Sequence, residues 1–393
     1  MKNLFAIFSG IDSKIAGQAV AIVVITLMAI GSVFVFSASA NLNFESDLLN
    51  LYKSVGLRQF VIFPIALLIM LAMSNVDYHL LEFRQDWKKS PITYLLIGAV
   101  ILLVMVLIPG IGIEKNNARR WLEIPLGFGR LSFQPSEFAK WVVIFFVSAY
   151  CVRFGEKLND FFKRFVPLCL IVGFVVGLVL LEDFGTSALI AMLTFLLLII
   201  SGINLFYVLT PIPFGIGAFL AAILTSVERK QRILAFLHPD QWTDSFNYQP
   251  QQSLIAIASG GLFGRGLGEG ICKYGHLPED TTDFIFAIIG EELGFAGCAF
   301  VILLFILFVI FGMIIVSRSK DSFGRLLSAG IVLAVAIQVC LNIGVVTVVL
   351  PTKGIPLPFV SSGGTSMVLS AIAIGLLLNI AKQSGNQGIQ TKL

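Results

Sequence analysis

Charge is what this sequence has least of. Only 13% of its 393 residues are Asp, Glu, Lys or Arg, against about a quarter in an ordinary soluble domain. So few ions cannot cover the surface of a water-soluble fold of this length. Strict polar–apolar alternation is missing too, which argues against the strands of an outer-membrane barrel. Cysteine is sparse: five residues, at 151, 169, 272, 298 and 340, four of them inside apolar runs where a thiol packs as a small hydrophobe. No disulfide framework follows. The three histidines, at 79, 238 and 276, are too scattered to suggest a metal cluster, so no metal ligands are expected.

What the chain has is apolar length. Hydrophobic residues make up 57% and mean hydropathy is +0.93. A helix needs roughly 20 apolar residues to cross the hydrocarbon, and such runs lie near 17–40, 57–75, 93–111, 136–153, 165–181, 184–201, 204–226, 284–316, 326–349 and 364–381. Only Glu182 and Asp183 separate the fifth and sixth; the seventh contains Pro211 and Pro213. The eighth is too long for one crossing, and its first turns, Asp283 to Gly294, are expected at the membrane surface or in a polar cleft. The expected fold is therefore all-α: a polytopic membrane protein of about ten transmembrane helices with a long extracytoplasmic loop. The first span ends in Ala38-Ser39-Ala40, which looks like a signal-peptide cleavage site, but its apolar core is too long, and a retained anchor is expected.

With both termini cytoplasmic, 14 of the 27 basic and 7 of the 23 acidic residues fall inside, leaving net +7 inside and −3 outside. Residues 1–16 are then a cytoplasmic N-terminus, 17–381 the transmembrane domain with the large loop 227–282, and 382–393 a cytoplasmic tail. The outer cations cluster: Lys115, Arg119, Arg120 and Arg130 between spans three and four, Arg229, Lys230, Arg232, Arg265 and Lys273 in the long loop, and Lys353 in the last. Cations kept outside against the topological bias suggest an anionic ligand such as a phosphate or diphosphate. Pairing with outer acids or lipid headgroups is the competing reading.

Loop 227–282 is too long for a connector and too rich in Phe, Leu, Ile and Trp242 for disorder. Within it, Gln252–Ile257 reads as a short re-entrant or interfacial helix. The glycine-rich run 260–270 reads as close backbone approach or as amides turned toward an anion. Thr281 or Thr282 is expected to cap a helix whose first turn holds Asp283, a carboxylate kept ionised by the helix dipole. A helix-end charge of that kind is often only structural. Glu291 and Glu292, ahead of an apolar span, are costly unless partnered.

Six segments together carry a resemblance. Leu277-Pro278-Glu279-Asp280-Thr281-Thr282-Asp283 through Gly294 resembles the signature of the SEDS proteins (FtsW, RodA and SpoVE). Asn116-Asn117-Ala118-Arg119-Arg120-Trp121 resembles the family's N-G-A-x-R-W, Gln134-Pro135-Ser136-Glu137-Phe138-Ala139-Lys140 its Q-P-S-E-x-x-K, and Glu182-Asp183-Phe184-Gly185-Thr186 its E/Q-P-D-x-G-T. The pairs Tyr248-Gln249, Gln252-Ser253 and Gly260-Gly261 follow in order, and Leu350 to Ser361 resembles the C-terminal signature. Departures from the pattern fall at Asn117, Thr281, Ser362 and His238, and in the missing proline before Asp183. The Ile288–Glu292 run and the Thr352-Lys353-Gly354 step look more like FtsW than RodA.

The resemblance implies a peptidoglycan glycosyltransferase that polymerises lipid II by inverting transfer, with undecaprenyl diphosphate as leaving group. It implies Asp283 as catalytic base and Arg119, Arg120, Trp121, Gln134, Glu137, Lys140, Lys353 and Ser361 as substrate-binding residues. A divalent cation such as Mg2+ would be the only cofactor. The implied partners are a class B penicillin-binding transpeptidase and other divisome proteins in the inner membrane at the division septum, with no nucleic acid. A prenyl tail would need an apolar groove between spans. A RodA-like elongation polymerase, a lipid II flippase and a noncatalytic scaffold are the rival readings; polar residues in outer loops rather than broken midplane helices disfavour the flippase. Reporter tags at Lys88, Lys157 and Lys320 should read cytoplasmic and tags near Trp242 should read external; an inside signal from Trp242 would reverse the orientation.

Overall fold

The computed structural model describes residues 12–39, 55–84, 89–115, 118–126, 129–238, 247–273 and 277–385. Each of the ten apolar runs is helical: α1 (Ser13–Ser39), α2 (Val55–Met73), α3 (Pro91–Leu107), α4 (Pro135–Phe154), α5 (Val166–Glu182), α6 (Phe184–Ile200), the pair α7 (Leu205–Leu209) and α8 (Ile212–Thr225), α11 (Ile285–Arg318), α12 (Ser322–Val346) and α13 (Gly364–Gly385). Pro213 falls in the first turn of α8, where a missing N–H costs nothing, so the seventh run breaks in two just ahead of it. Two more helices, α9 (Val227–Leu237) and α10 (Tyr248–Gly260), lie in the long loop, and the run 252–257 sits inside α10. Among the described residues seven helical segments are long and apolar enough to cross a membrane, and α3 and α6 are shorter apolar helices.

The bundle packs around α4, which lies against α3, α6, α12 and α13, while α1 lies against α2, α11 and α13. The opposite extreme is α8, no residue of which is buried. One element was not expected. The connector before α4 folds into a three-stranded antiparallel sheet, β1 (Gly112–Lys115), β2 (Ala118–Leu126) and β3 (Gly129–Phe133), with Trp121 opposite Ile113 and Leu122 opposite Phe133.

The eighth run kinks at Gly294 (φ 67°, ψ −162°), a left-handed φ that favours glycine. A kink frees backbone groups that water cannot reach, and the glycine run supplies their partners. Arg265 and Gly266 N–H donate to the carbonyls of Glu291 and Glu292, both at 3.0 Å, while Phe295 and Ala296 N–H donate to Gly261 and Leu262 at 2.9 and 3.1 Å. A Cβ at Gly260 would strike the Gly290 carbonyl, and one at Gly264 the Glu292 carbonyl. Hence the glycines.

The anion that their neighbouring amides face is internal. Ile271 and Cys272 N–H donate to the Glu291 carboxylate at 2.9 and 3.1 Å. Glu292 accepts from Ser37 Oγ at 2.7 Å and pairs with Lys273 Nζ at 2.9 Å. Residues 284–292 are therefore buried in protein, not spread on the membrane surface as one sequence expectation had it. Trp242, His276 and Asn117 lie outside the described residues.

Breaking a buried ion pair by removing one partner costs about 3–5 kcal/mol. Lys273→Ala, which leaves the buried Glu292 charge uncompensated, should lower the melting temperature in detergent sharply, whereas Lys273→Met with Glu292→Leu should recover most of the loss. Equal stability of Lys273→Ala and wild type would show that the pair is not structural.

Candidate functional site: a cationic cleft above an apolar groove

Four chain segments converge at one end of the bundle. Asp183 joins two of them: it caps α6 by accepting from Thr186 N–H at 3.1 Å, and its other oxygen accepts from Gln134 Nε2 and Ser136 Oγ at 3.2 and 3.1 Å. Strand β2 is fastened to the end of α5, because Arg119 N–H donates to the Glu182 carboxylate (2.7 Å) and Arg120 Nε to the Glu182 carbonyl (2.8 Å). Helix α9 is clasped to the same end. Arg229 donates to the carbonyls of Leu180, Leu181 and Ala222 at 3.1, 3.0 and 3.3 Å, answering the negative end of α5. The loop Pro351–Gly354 closes the fourth side.

The result is a cleft of about 620 Å³ whose charged walls are the cations Arg120, Arg229, Arg232 and Lys353 and the carboxylates Glu182, Asp183 and Glu228. Asp283 stands behind Gly354. A methyl group at position 354 would lie 3.0 Å from Asp283 Oδ2 and 3.8 Å from Arg120 Nη1. A side chain there would crowd the carboxylate on the side where it faces the guanidinium. Two pins hold this arrangement. Asn342 Nδ2 donates to the carbonyls of both Asp283 and Ile355 at 2.8 Å, and Ser361 Oγ donates to the Thr282 carbonyl at 2.6 Å while accepting from Leu357 N–H at 2.7 Å.

Helix α11 begins only at Ile285, and Thr282 Oγ1 turns back to Glu279 instead of capping it. Asp283 therefore precedes the helix, and the dipole expected to keep it ionised is overruled. Burial, helped by the Glu279 charge and opposed by Arg120, pushes its carboxyl up to about 7. Burial likewise raises Asp280 to about 6 and lowers Lys353, the latter opposed by Asp183.

The other sequence-named residues fall in three places. Arg120 and Lys353 line the cleft, with Arg119 beside it but turned to Glu114 at 3.3 Å. Gln134 holds Asp183, and Trp121 is half-buried in β2. Glu137 and Lys140 are sealed inside the bundle: they pair at 2.9 Å, Lys140 donates to Gln338 Oε1 at 2.8 Å, and Ser366 donates to Glu137 at 2.9 Å. These two and Ser361 brace the site and do not face it. Arg229 and Arg232 were visible only as outer cations; nothing in their spacing reveals that α9 folds back over α5.

Below the cleft, and sharing Leu180 with it, runs an apolar groove of about 790 Å³ between α5, α6 and α8, lined by Val176, Leu180, Phe195, Phe214 and Phe219 among others. Among the described residues no group of three or more His, Cys, Asp or Glu is placed to hold a metal ion. Both oxygens of Asp183 are already engaged.

A many-helix membrane protein with a cationic cleft opening on an apolar groove is the class that these features define. Residues 18–386 match the model of the FtsW/RodA/SpoVE family, described as cell cycle proteins. Stage V sporulation protein E of Bacillus subtilis is 35% identical over 369 residues, covering 92% of this chain and 96% of that one. A probable peptidoglycan glycosyltransferase FtsW of Trichlorobacter lovleyi is 36% identical over 364 residues, 92% and 91% of the two chains. In fold, the crystal structure of Thermus thermophilus RodA superposes with a TM-score of 0.61 at 23% identity over 93% of this chain and 96% of its own. A chain from a peptidoglycan synthase complex that coordinates polymerization and crosslinking gives 0.67 at 22%, over 93% and 98%. This chain belongs to the FtsW/RodA/SpoVE family.

Two carboxyl groups in the cleft region carry raised pKa values. Infrared difference spectra should show a protonated-carboxyl band that disappears as pH rises through about 7 and is absent from Asp283→Asn. A separate band lost near pH 6 should be absent from Asp280→Asn. No Asp283-dependent band above pH 5 would show that the carboxyl is not buried as described.

Proposed function

We propose that this chain is a peptidoglycan glycosyltransferase that polymerises lipid II into glycan strands. One observation carries the reading: a half-buried carboxyl, Asp283, faces Arg120 across Gly354 at the edge of a cationic cleft that continues into an apolar groove. That combination suits a substrate with a hydroxyl to activate, a diphosphate to receive and a polyprenyl tail to shelter. The relatives described as probable peptidoglycan glycosyltransferases support the same reading.

The chemistry follows from the residues. Ionised Asp283 takes the proton from the acceptor sugar's 4-hydroxyl, whose oxygen attacks the anomeric carbon of the growing chain. The bond to the diphosphate breaks, and the lipid diphosphate departs with the electron pair. An α-linked diphosphate becomes a β-linked glycoside by one inversion, so one base suffices. Charge growing on the leaving group is met by Arg120, Arg229, Arg232 and Lys353, already in place before reaction. A base with a pKa of about 7 is matched to work near neutral pH. The prenyl tail lies in the α5–α6–α8 groove.

The septal, FtsW-like role belongs to the same proposal, as does a class B penicillin-binding transpeptidase as partner together with other divisome proteins. The fold-level likeness to a chain of a polymerizing and crosslinking synthase complex supports a transpeptidase.

Purified protein with its transpeptidase and labelled lipid II should yield glycan strands on a gel. Loss of a general base costs roughly 10²–10⁴-fold, so Asp283→Asn should fall by at least two orders of magnitude while Asp280→Asn stays near wild type. Wild-type rate should rise with pH through about 7, because the base must be ionised. Arg120→Gln should shift that rise to higher pH, since its charge holds the carboxyl down. Near-normal synthesis by Asp283→Asn removes it from the mechanism. Wild-type protein that moves lipid II across vesicles without polymerising it is instead a flippase.

A further inference from the structure

Phe184 occupies an unusual position for an aromatic residue. It is the first residue of α6, immediately after the capping Asp183, and its ring forms part of the cleft wall. Two cations sit over that ring: Lys353 Nζ lies 4.5 Å from its centroid and Arg229 Cζ 5.6 Å. The ring also meets Phe219 of α8 edge-on, at 5.2 Å and 86°. Phe219 lines the apolar groove, so the pair of rings stands where the cleft passes into the groove.

The other cleft cations are held differently. Arg232 pairs with Glu228 at 2.7 Å, and Arg120 is tied to the Glu182 carbonyl. Lys353 has no carboxylate at ion-pair distance among the described residues; what faces its ammonium is the π-system of Phe184. A ring quadrupole attracts a cation without neutralising it. The ring thus faces Lys353 without cancelling its charge as a carboxylate would, and Arg229, already anchored by the carbonyls of Leu180, Leu181 and Ala222, lies over the same ring. The ring does this without offering the incoming anion any like charge to repel it.

We infer that Phe184 is a positioning residue for the diphosphate group: its ring holds Lys353 beside the carbonyl-anchored Arg229, so that a diphosphate meets both cations while the attached prenyl chain enters the groove past Phe219. This rests on the proposed polymerase reading for its substrate, though not for its test. The inference makes the aromatic face, rather than bulk at position 184, the property that matters.

The experiment compares Phe184→Leu, Phe184→Tyr and Phe184→Trp in detergent-solubilised protein, with inorganic pyrophosphate as the probe. Calorimetry gives its dissociation constant without turnover. The ring orders Lys353 before the anion arrives, and loss of that pre-organisation is expected to weaken binding by up to about tenfold, the worth of the pair itself. Phe184→Leu should therefore bind pyrophosphate about tenfold more weakly and show a similar rise in KM for lipid II, with kcat changed little and the pH at which activity rises unmoved. Phe184→Tyr and Phe184→Trp, which keep a π face, should bind pyrophosphate as wild type does. Unchanged affinity in Phe184→Leu overturns the inference. Equal loss in all three variants also overturns it, because shape would then be the requirement. If wild-type protein makes no glycan while Phe184→Leu still loses pyrophosphate, the polymerase reading falls and the ring's role stands.

Discussion

A carbonyl group that leaves regular structure inside an apolar bundle must find a donor, because no water is there to supply one. Asn342 meets that demand twice, for Asp283 and for Ile355, and the cleft depends on it. Those two residues belong to segments some seventy positions apart, one carrying the carboxyl and the other following directly on Lys353 and Gly354. A single carboxamide sets their separation. Ser361 repeats the device one residue earlier, tying Thr282 to the same C-terminal loop. With the backbone pinned at both points, Asp283 has little freedom left to move away from Arg120.

The same constraint organises the charges deeper in the bundle. An ion buried among apolar helices is tolerated only with its partners supplied. Glu137, Lys140, Gln338 and Ser366 form one such set across α4, α12 and α13, and Gln338 passes it on by donating to the Pro356 carbonyl at 2.9 Å. The chain of contacts from Lys140 thus ends two residues from Gly354. Glu291, Glu292, Lys273 and Ser37 form a second set, bracing the kink that aims the Asp283 segment. Neither set faces the cleft, and both determine what its walls look like.

The spans were legible because apolar length is a signal that no tertiary contact can disguise; the prolines at 211 and 213 were noted, but the seventh run was read as one span and not as two helices. The small sheet was not, since β2 combines Arg119, Arg120 and Glu123 with Trp121 and Leu122 in a stretch that reads as a polar connector. Within the site, Asp283, Arg120 and Lys353 were found through motif position. Position along a motif does not say which way a side chain turns. Glu137 and Lys140 sit three apart on α4 and face the bundle, where their partners come from α12 and α13. Glycines at 260 and 264 were correctly suspected of close approach, although the surfaces they approach, the carbonyls around Glu291, lie some thirty residues onward. The capping role expected of Thr281 or Thr282 failed for a local reason: Glu279 claims the Thr282 hydroxyl first.

Helix α8 has one more implication. Its lack of any buried residue means that the outer wall of the apolar groove is held to the protein by few side-chain contacts, so the surrounding bilayer supplies the rest of its environment. The groove is then never truly empty in a membrane. Acyl chains of ordinary phospholipids have access to it, and under the proposed function a polyprenyl substrate would enter by exchange with them. The affinity that matters is a partition between two hydrocarbon solvents, in which burying apolar area gains almost nothing. Selection therefore falls to the headgroup, and occupancy follows the substrate's mole fraction in the leaflet, not its amount per volume of solution.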